Sequence, residues 1–135
     1  MIFLTKDDFL AIIELETLDS VIDDDDTKLD AIEPVAIMEM ATYLNARFDT
    51  DAIFTAEERN ALIVMYCCDI SLYHIHSRIS PDNIPTLRDE RYKAAIDWLE
   101  KAADGFTAPL LPTKQEPSTM PIRFGSSAPK SDQFY

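Results

Sequence analysis

The sequence predicts an all-α fold: a small four-helix bundle followed by an extended, proline-rich C-terminal arm. Three observations carry this. Apolar residues recur at spacings of three and four in four separate segments. Only 2 of the 135 residues are glycine. Five of the 8 prolines fall in the last 30 residues, beyond the last periodic segment. The expected division is a helical domain over residues 1–105 and an arm over residues 106–135. A chain of this size buries roughly two thirds of its unfolded surface, enough for one core.

The first segment opens at Thr5, a capping residue, with Asp7 and Asp8 in the first turn where the helix dipole favours them. Phe9, Ile12 and Ile13 share a face with Glu16, and Leu18 ends the apolar signal. Asp23, Asp24, Asp25 and Asp26 then repel one another and hydrate, which predicts a loop. A second helix starts near Asp30 or Glu33 with Pro34 in its first turn, where a missing N–H costs least. Its stripe is Ile37, Met40, Ala41, Leu44 and Phe48.

Thr55 and Glu58 have capping-box spacing for a third helix, whose stripe is Met65, Cys68, Leu72, Ile75 and Ile79. Residues 61–68 are apolar on every face, so that helix is either central in the bundle or covered by another subunit. Ile63 and Val64, off the main stripe, are the candidate subunit contacts. Pro81 and Pro85 bracket a turn. Thr86 is placed to cap a fourth helix with Asp89 at its third position; Tyr92, Ala95, Ile96, Leu99 and Ala103 form the stripe. Trp98 broadens that stripe as an anchor between the third and fourth helices, and Gly105 ends the helix. In the arm, Leu110, Leu111, Ile122, Phe124, Phe134 and Tyr135 are the candidate docking anchors, and residues 120–124 suit an edge strand.

The formal net charge is −13. Residues 1–58 hold 16 acidic and 3 basic side chains, hence all of it, whereas residues 59–135 hold 9 of each. Such a surface disfavours gripping nucleic acid or anionic lipid and suits a basic protein partner. Cys67 and Cys68, adjacent in an apolar run, read as small reduced core residues made in a reducing compartment. No signal peptide and no membrane span is expected; Asp69, Ser71, His74 and His76 interrupt the best apolar run.

The polar residues point away from catalysis. Counting Asp23 as first in a calcium loop puts Lys28 sixth and Pro34 twelfth, where glycine and glutamate are needed. His74 and His76 are two apart, so they leave a helix on different faces, unlike zinc pairs. No activated nucleophile, phosphate-cradling glycine loop or HExxH pattern is present. No catalytic, cofactor or metal site is therefore expected. Asp69 stands out, because it follows eight apolar residues in mid-helix. Unpaired buried charge is costly, so a cation across a helix interface is expected, with Arg91 as the candidate; a functional role for Asp69 would be subunit contact.

Four pieces occur in order: TKDDFLAII with DDDDTKLDA; Tyr43-Leu44-Asn45-Ala46-Arg47-Phe48; Cys68-Asp69-Ile70-x-x-Tyr73; and Arg91-Tyr92-x-x-Ala95-Ile96-x-Trp98-Leu99. Through them residues 2–105 resemble the Mu-like prophage neck family, small head–tail connector or head-completion proteins of tailed phages. The Asp-rich loop departs from that pattern in lacking glycine. The resemblance implies a connector-type helical subunit of a homo-oligomeric, dodecameric ring below the portal. It implies contacts with the portal protein and with tail or neck proteins, and passage of genomic DNA through the ring without specific binding. It also implies location in the virion neck after assembly in the host cytoplasm. The rival class is an acidic regulatory protein of a phage or bacterium that sequesters a basic partner through residues 7–33 by mimicking DNA.

Overall fold

The computed structural model describes residues 1–114, with six helices: α1 (Lys6–Phe9), α2 (Leu15–Val21), α3 (Thr27–Leu44), α4 (Thr50–Thr55), α5 (Ala61–Ile79) and α6 (Thr86–Asp104). The fold is all-α, as expected, but the number of helices differs. Three long helices, α3, α5 and α6, pack on one another and make the body. The short ones turn the corners between them. The predicted first helix is split in two, because the helix stops after Phe9 and a new one starts at Leu15. The break lets both Phe9 and Leu18 reach full burial, which one straight helix with its single narrow face would not allow.

α5 is the centre of the bundle. Ile63, Cys67, Cys68, Ile70 and Leu72 are fully buried, on positions that run around the helix. α3 and α6 cover two sides and α1 a third. The chain's own packing therefore accounts for Ile63, Cys67 and Cys68 of the apolar run 61–68, whereas Leu62 is 44% exposed and Val64, Met65 and Tyr66 are half-buried. Ile63 lies inside the core and Val64 is half-buried against it, which removes Ile63 as a subunit contact.

α3 begins earlier than predicted, at Thr27, so Pro34 falls well inside the helix. The proline lacks the N–H that would bond to the Asp30 carbonyl. Asp30 and Pro34 are both exposed, so the helix is broken only on its solvent side. The buried stripe is Leu29, Glu33, Ala36, Met40 and Leu44, with Ile32 beside it; Ile37 and Ala41 sit at its edge, half-buried. The cap of α5 is Asn60, whose side chain accepts from the Leu62 and Ile63 amides at 3.0 and 3.2 Å. Thr55 instead ends α4, with its hydroxyl bonded back to the Asp51 carbonyl. Pro85 takes the N-cap position of α6, and Thr86 is its first residue. At the other end Gly105 adopts φ +79, and the Phe106 and Gly105 amides bond back to the Lys101 and Ala102 carbonyls, the pattern of a glycine-closed helix.

Trp98 is half-buried, with its ring 5.1 Å from that of Tyr66. It joins α6 to α5 as expected, but at the rim of the core rather than in it.

The helical unit does not stop at Gly105. Residues 106–114 turn back and run beside the loop after α3. Phe48 pairs with Thr113, the Asp49 amide donates to Pro112 O at 2.9 Å, and Lys114 N donates to Arg47 O. Leu111 is buried in the core, whereas Leu110 is 93% exposed. Residues 106–114, the first part of the expected arm, thus lie as a strap against the body. Residues 120–124, with Ile122 and Phe124, and the anchors Phe134 and Tyr135 lie outside the described residues. A chain ending at residue 105 should be less stable than one ending at residue 114 by about 2 kcal/mol, the cost of uncovering the Leu111 site. Urea midpoints of the two truncations measure this; equal midpoints would show that the strap is only a surface feature.

Candidate functional site

The sequence pieces singled out above meet one another in space. Asp69 on α5 accepts two hydrogen bonds from Arg91 on α6, at 2.6 Å from Nε and 3.0 Å from Nη2. One turn further on, the rings of Tyr73 and Tyr92 stack at 3.9 Å and 12°. Tyr92 donates its hydroxyl to Glu39 of α3, whose other oxygen lies 2.7 Å from His74 Nε2. Arg47, beyond the end of α3, donates to the Ala102 carbonyl at 3.0 Å and closes the C-terminal end of α6. Its guanidinium lies 3.4 Å from the place a side chain at Gly105 would fill. The motifs are cross-braces between the three long helices.

Asp69 is 2% exposed, and a second arginine, Arg88, is nearly as buried beside it. Arg88 Nη1 lies 3.8 Å from Asp69 Oδ1, and its Nη2 donates to the Ile12 carbonyl at 3.3 Å. Burial pushes the Asp69 carboxyl up against the pull of Arg91 and Arg88, and pushes the Arg88 guanidinium down. His76 is lowered as well, by burial and then by Arg88. Burial and then the Glu39 carboxylate hold the Tyr92 hydroxyl well above its ordinary value. Asp69 is spent inside the chain, which corrects its reading as a subunit contact; the expected cation partner, Arg91, is the one found.

A second buried carboxylate went unread in the sequence. Glu33 of α3 is 2% exposed and accepts the amides of Ile2, Phe3 and Leu4 at 2.9, 3.0 and 2.6 Å. It holds the N-terminal segment so that Phe3 and Leu4 enter the core. The signal was phase: Glu33 falls on the stripe of Leu29, Ala36 and Met40, and Arg88 likewise falls on the stripe of Tyr92, Ala95 and Leu99. A charged residue in phase with an apolar stripe is buried and must be paired. Arg59 was also missed. It binds Asp8 through both terminal nitrogens and the Phe3 carbonyl at 3.0 Å, tying the segment before α5 to α1.

The acidic loop is partly paired from within. Lys6 bridges Asp19 and Asp26 at 2.8 and 2.9 Å, and Lys28 pairs with Asp23 at 3.1 Å. Asp25 accepts from the amide and hydroxyl of Thr27, which holds its carboxyl below the usual range. Asp23 and Asp24 take the left-handed conformation, φ +55 and +56. Aspartate tolerates this region better than most residues, and glycine better still. Among the described residues no group of three or more His, Cys, Asp or Glu side chains is placed to hold a metal ion, and no helix is long and apolar enough to cross a membrane. Cys67 and Cys68 are free and buried; burial pushes the Cys67 thiol up to about 12 and that of Cys68 higher.

The geometry defines a small acidic helical bundle whose charged side chains serve mainly as internal ties. Residues 3–123 match the family described as Bacteriophage Mu, Gp36, and the chain belongs to that family. No curated protein and no solved structure is detectably similar to it.

Two outcomes follow from the electrostatics. Asp69→Asn should cost about 3–5 kcal/mol, because two arginines lose their counter-ion in the interior. Arg91→Ala should cost less, since Arg88 remains beside the carboxylate. Chemical denaturation ranks the two, and a reversed order would remove Arg88 from the network. Asp8 is raised by burial but lowered more by Arg59 and the Thr5 amide, so its folded pKa lies below the unfolded value. Its contribution is present above the ordinary carboxylate range and is lost as pH falls through the lower folded value. Asp8→Asn should therefore destabilise the protein at about pH 6, and the difference from wild type should shrink as the pH falls below the ordinary carboxylate range and through the folded value. A pH-independent difference would mean that Asp8 acts without its charge.

Proposed function

We propose that this protein is a structural, non-enzymatic subunit of the phage neck, a head–tail connector or head-completion protein that assembles as a ring below the portal. The observation that carries the reading is the family match over residues 3–123, together with the use of the matching motifs as internal braces. A subunit braced in this way keeps its shape while its outer faces are free for neighbours. Exposed apolar side chains supply such faces: Ile79 and Leu87 flank the turn between α5 and α6, each 57% exposed, and Phe106 and Leu110 stand out from the strap. The expected neighbours are further copies of the chain, the portal protein and tail or neck proteins. Genomic DNA passes through the ring, repelled by acidic side chains and bound by none. The place of action is the virion, reached by assembly in the host cytoplasm.

The acidity of residues 1–58 favours one alternative, sequestration of a basic partner by DNA mimicry. Five of the sixteen carboxylates there, Asp8, Asp19, Asp23, Asp26 and Asp30, are paired with cations of the same chain, which removes only part of the surface such a mimic would present. Sedimentation and electron microscopy of the purified protein, alone and with portal-bearing heads, separate the two readings. Ring-shaped particles, or rings formed on the portal vertex, are expected. A protein that stays a monomer or dimer and leaves the heads bare, yet binds a basic partner in low salt, would overturn the connector reading.

A further inference from the structure

The first two turns of α5 are left partly bare. Ile63, Cys67 and Cys68 face the core, but Leu62 is exposed, and Val64 and Met65 are half-buried. Ala61, Val64 and Met65, at helical spacings of three and four, form one wall of an open groove of about 610 Å³, and Ala11 and Ile12 form the other. Ala11 and Ile12 also line a second depression, of about 520 Å³, with Leu10, Ile13 and Leu15. Through the shared residues one apolar trough runs from the start of α5 across the turn between α1 and α2. Exposed apolar surface that is contiguous and rimmed by polar groups is the mark of an interaction site.

The charges around the trough select its occupant. Two arginines stand at its edge, and both are spent: Arg59 on Asp8 through both terminal nitrogens, and Arg91 on Asp69. Three exposed carboxylates, Asp7 and Glu57 at one end and Glu14 at the other, have no cation partner among the described residues. An apolar floor rimmed by unpaired carboxylates complements a segment that carries apolar side chains on one face and lysine or arginine beside them. A second copy of this chain, at a net −13, brings the wrong sign of charge to that rim. The shape favours a helix. The ridge of Ala61, Val64 and Met65 gives an incoming helix a surface to pack along, whereas the trough offers no strand edge among the described residues to which an extended peptide could add.

We propose that this trough is the docking site for a basic amphipathic helix of a partner protein of different sequence, with its apolar face on Ile12, Val64 and Met65 and its cations beside Asp7, Glu14 and Glu57. The inference does not rest on the ring reading, because copies of the chain are not the occupant.

The probe is a synthetic helical peptide of about 14 residues, or four turns, made of leucine and lysine with the leucines on one face. One control peptide has the same composition with the leucines dispersed round the helix. The other keeps the pattern and replaces lysine by glutamate. Binding to the full-length protein is followed by titration calorimetry, and the contact is mapped by amide shifts in nuclear magnetic resonance. The patterned lysine peptide is expected to bind roughly ten-fold more tightly than either control, with shifts concentrated at Ala11, Ile12, Val64 and Met65. The double variant Asp7→Lys, Glu57→Lys changes two exposed side chains, so it should keep its helical far-ultraviolet spectrum and bind the peptide roughly ten-fold more weakly. Equal binding of the dispersed lysine peptide, shifts centred on residues 23–26, or unchanged affinity in the double variant would overturn the proposal by showing that charge alone attracts the probe. Absence of binding by the full-length chain would overturn it as well. Shifts at the trough that grow with protein concentration, without peptide, would overturn it in favour of a second copy.

Discussion

Everything in this bundle depends on burying one carboxylate, Asp69, in the middle of its central helix. α5 packs on α1, α3 and α6, and Asp69 is only 2% exposed, so its counter-ions must come from a neighbouring element. Arg91 and Arg88 both lie on α6, one helical turn apart, and their reach fixes how α6 sits along α5. An apolar contact between two helices can slide by a residue at little cost. A bidentate arginine–carboxylate pair cannot, because its two hydrogen bonds need one register. Buried pairs of this kind are poor sources of net stability, and register is their best-attested service.

The same logic recurs at the edges. Glu33 collects three successive amides and makes a strand-like N-terminus part of the core. Glu39 links α3 to both other long helices through His74 and Tyr92. Arg47 closes α6 and lies beside the strap. Each tie crosses a long stretch of sequence and joins elements that the chain order keeps apart.

The negative charge takes on a different meaning in three dimensions. As a count it makes the N-terminal half look like a surface for a basic partner. In the fold, two lysines and an arginine of the same chain meet four of those sixteen carboxylates, Asp8, Asp19, Asp23 and Asp26, and Asp25 serves as a local turn. The aspartates also occupy backbone positions that a glycine would take more easily, which is why a loop without glycine can still make the turn.

By itself the sequence determined the all-α class, the three long helices, the glycine stop at residue 105 and the Asp69–Arg91 pair. All rest on short-range rules: periodicity, caps and the cost of an unpaired buried charge. It also carried, unread, the in-phase charges Glu33 and Arg88, since a stripe is usually traced through its apolar members alone. Only the tertiary structure decided that Ile63, Cys67 and Cys68 of the run 61–68 are covered by their own chain while Leu62 stays exposed, and that Asn60 rather than Thr55 caps α5. It alone split the first helix and drew residues 106–114 into the body. These outcomes depend on which surfaces meet across the chain, and hydrophobic patterning gives the amount of surface to be buried without naming what buries it.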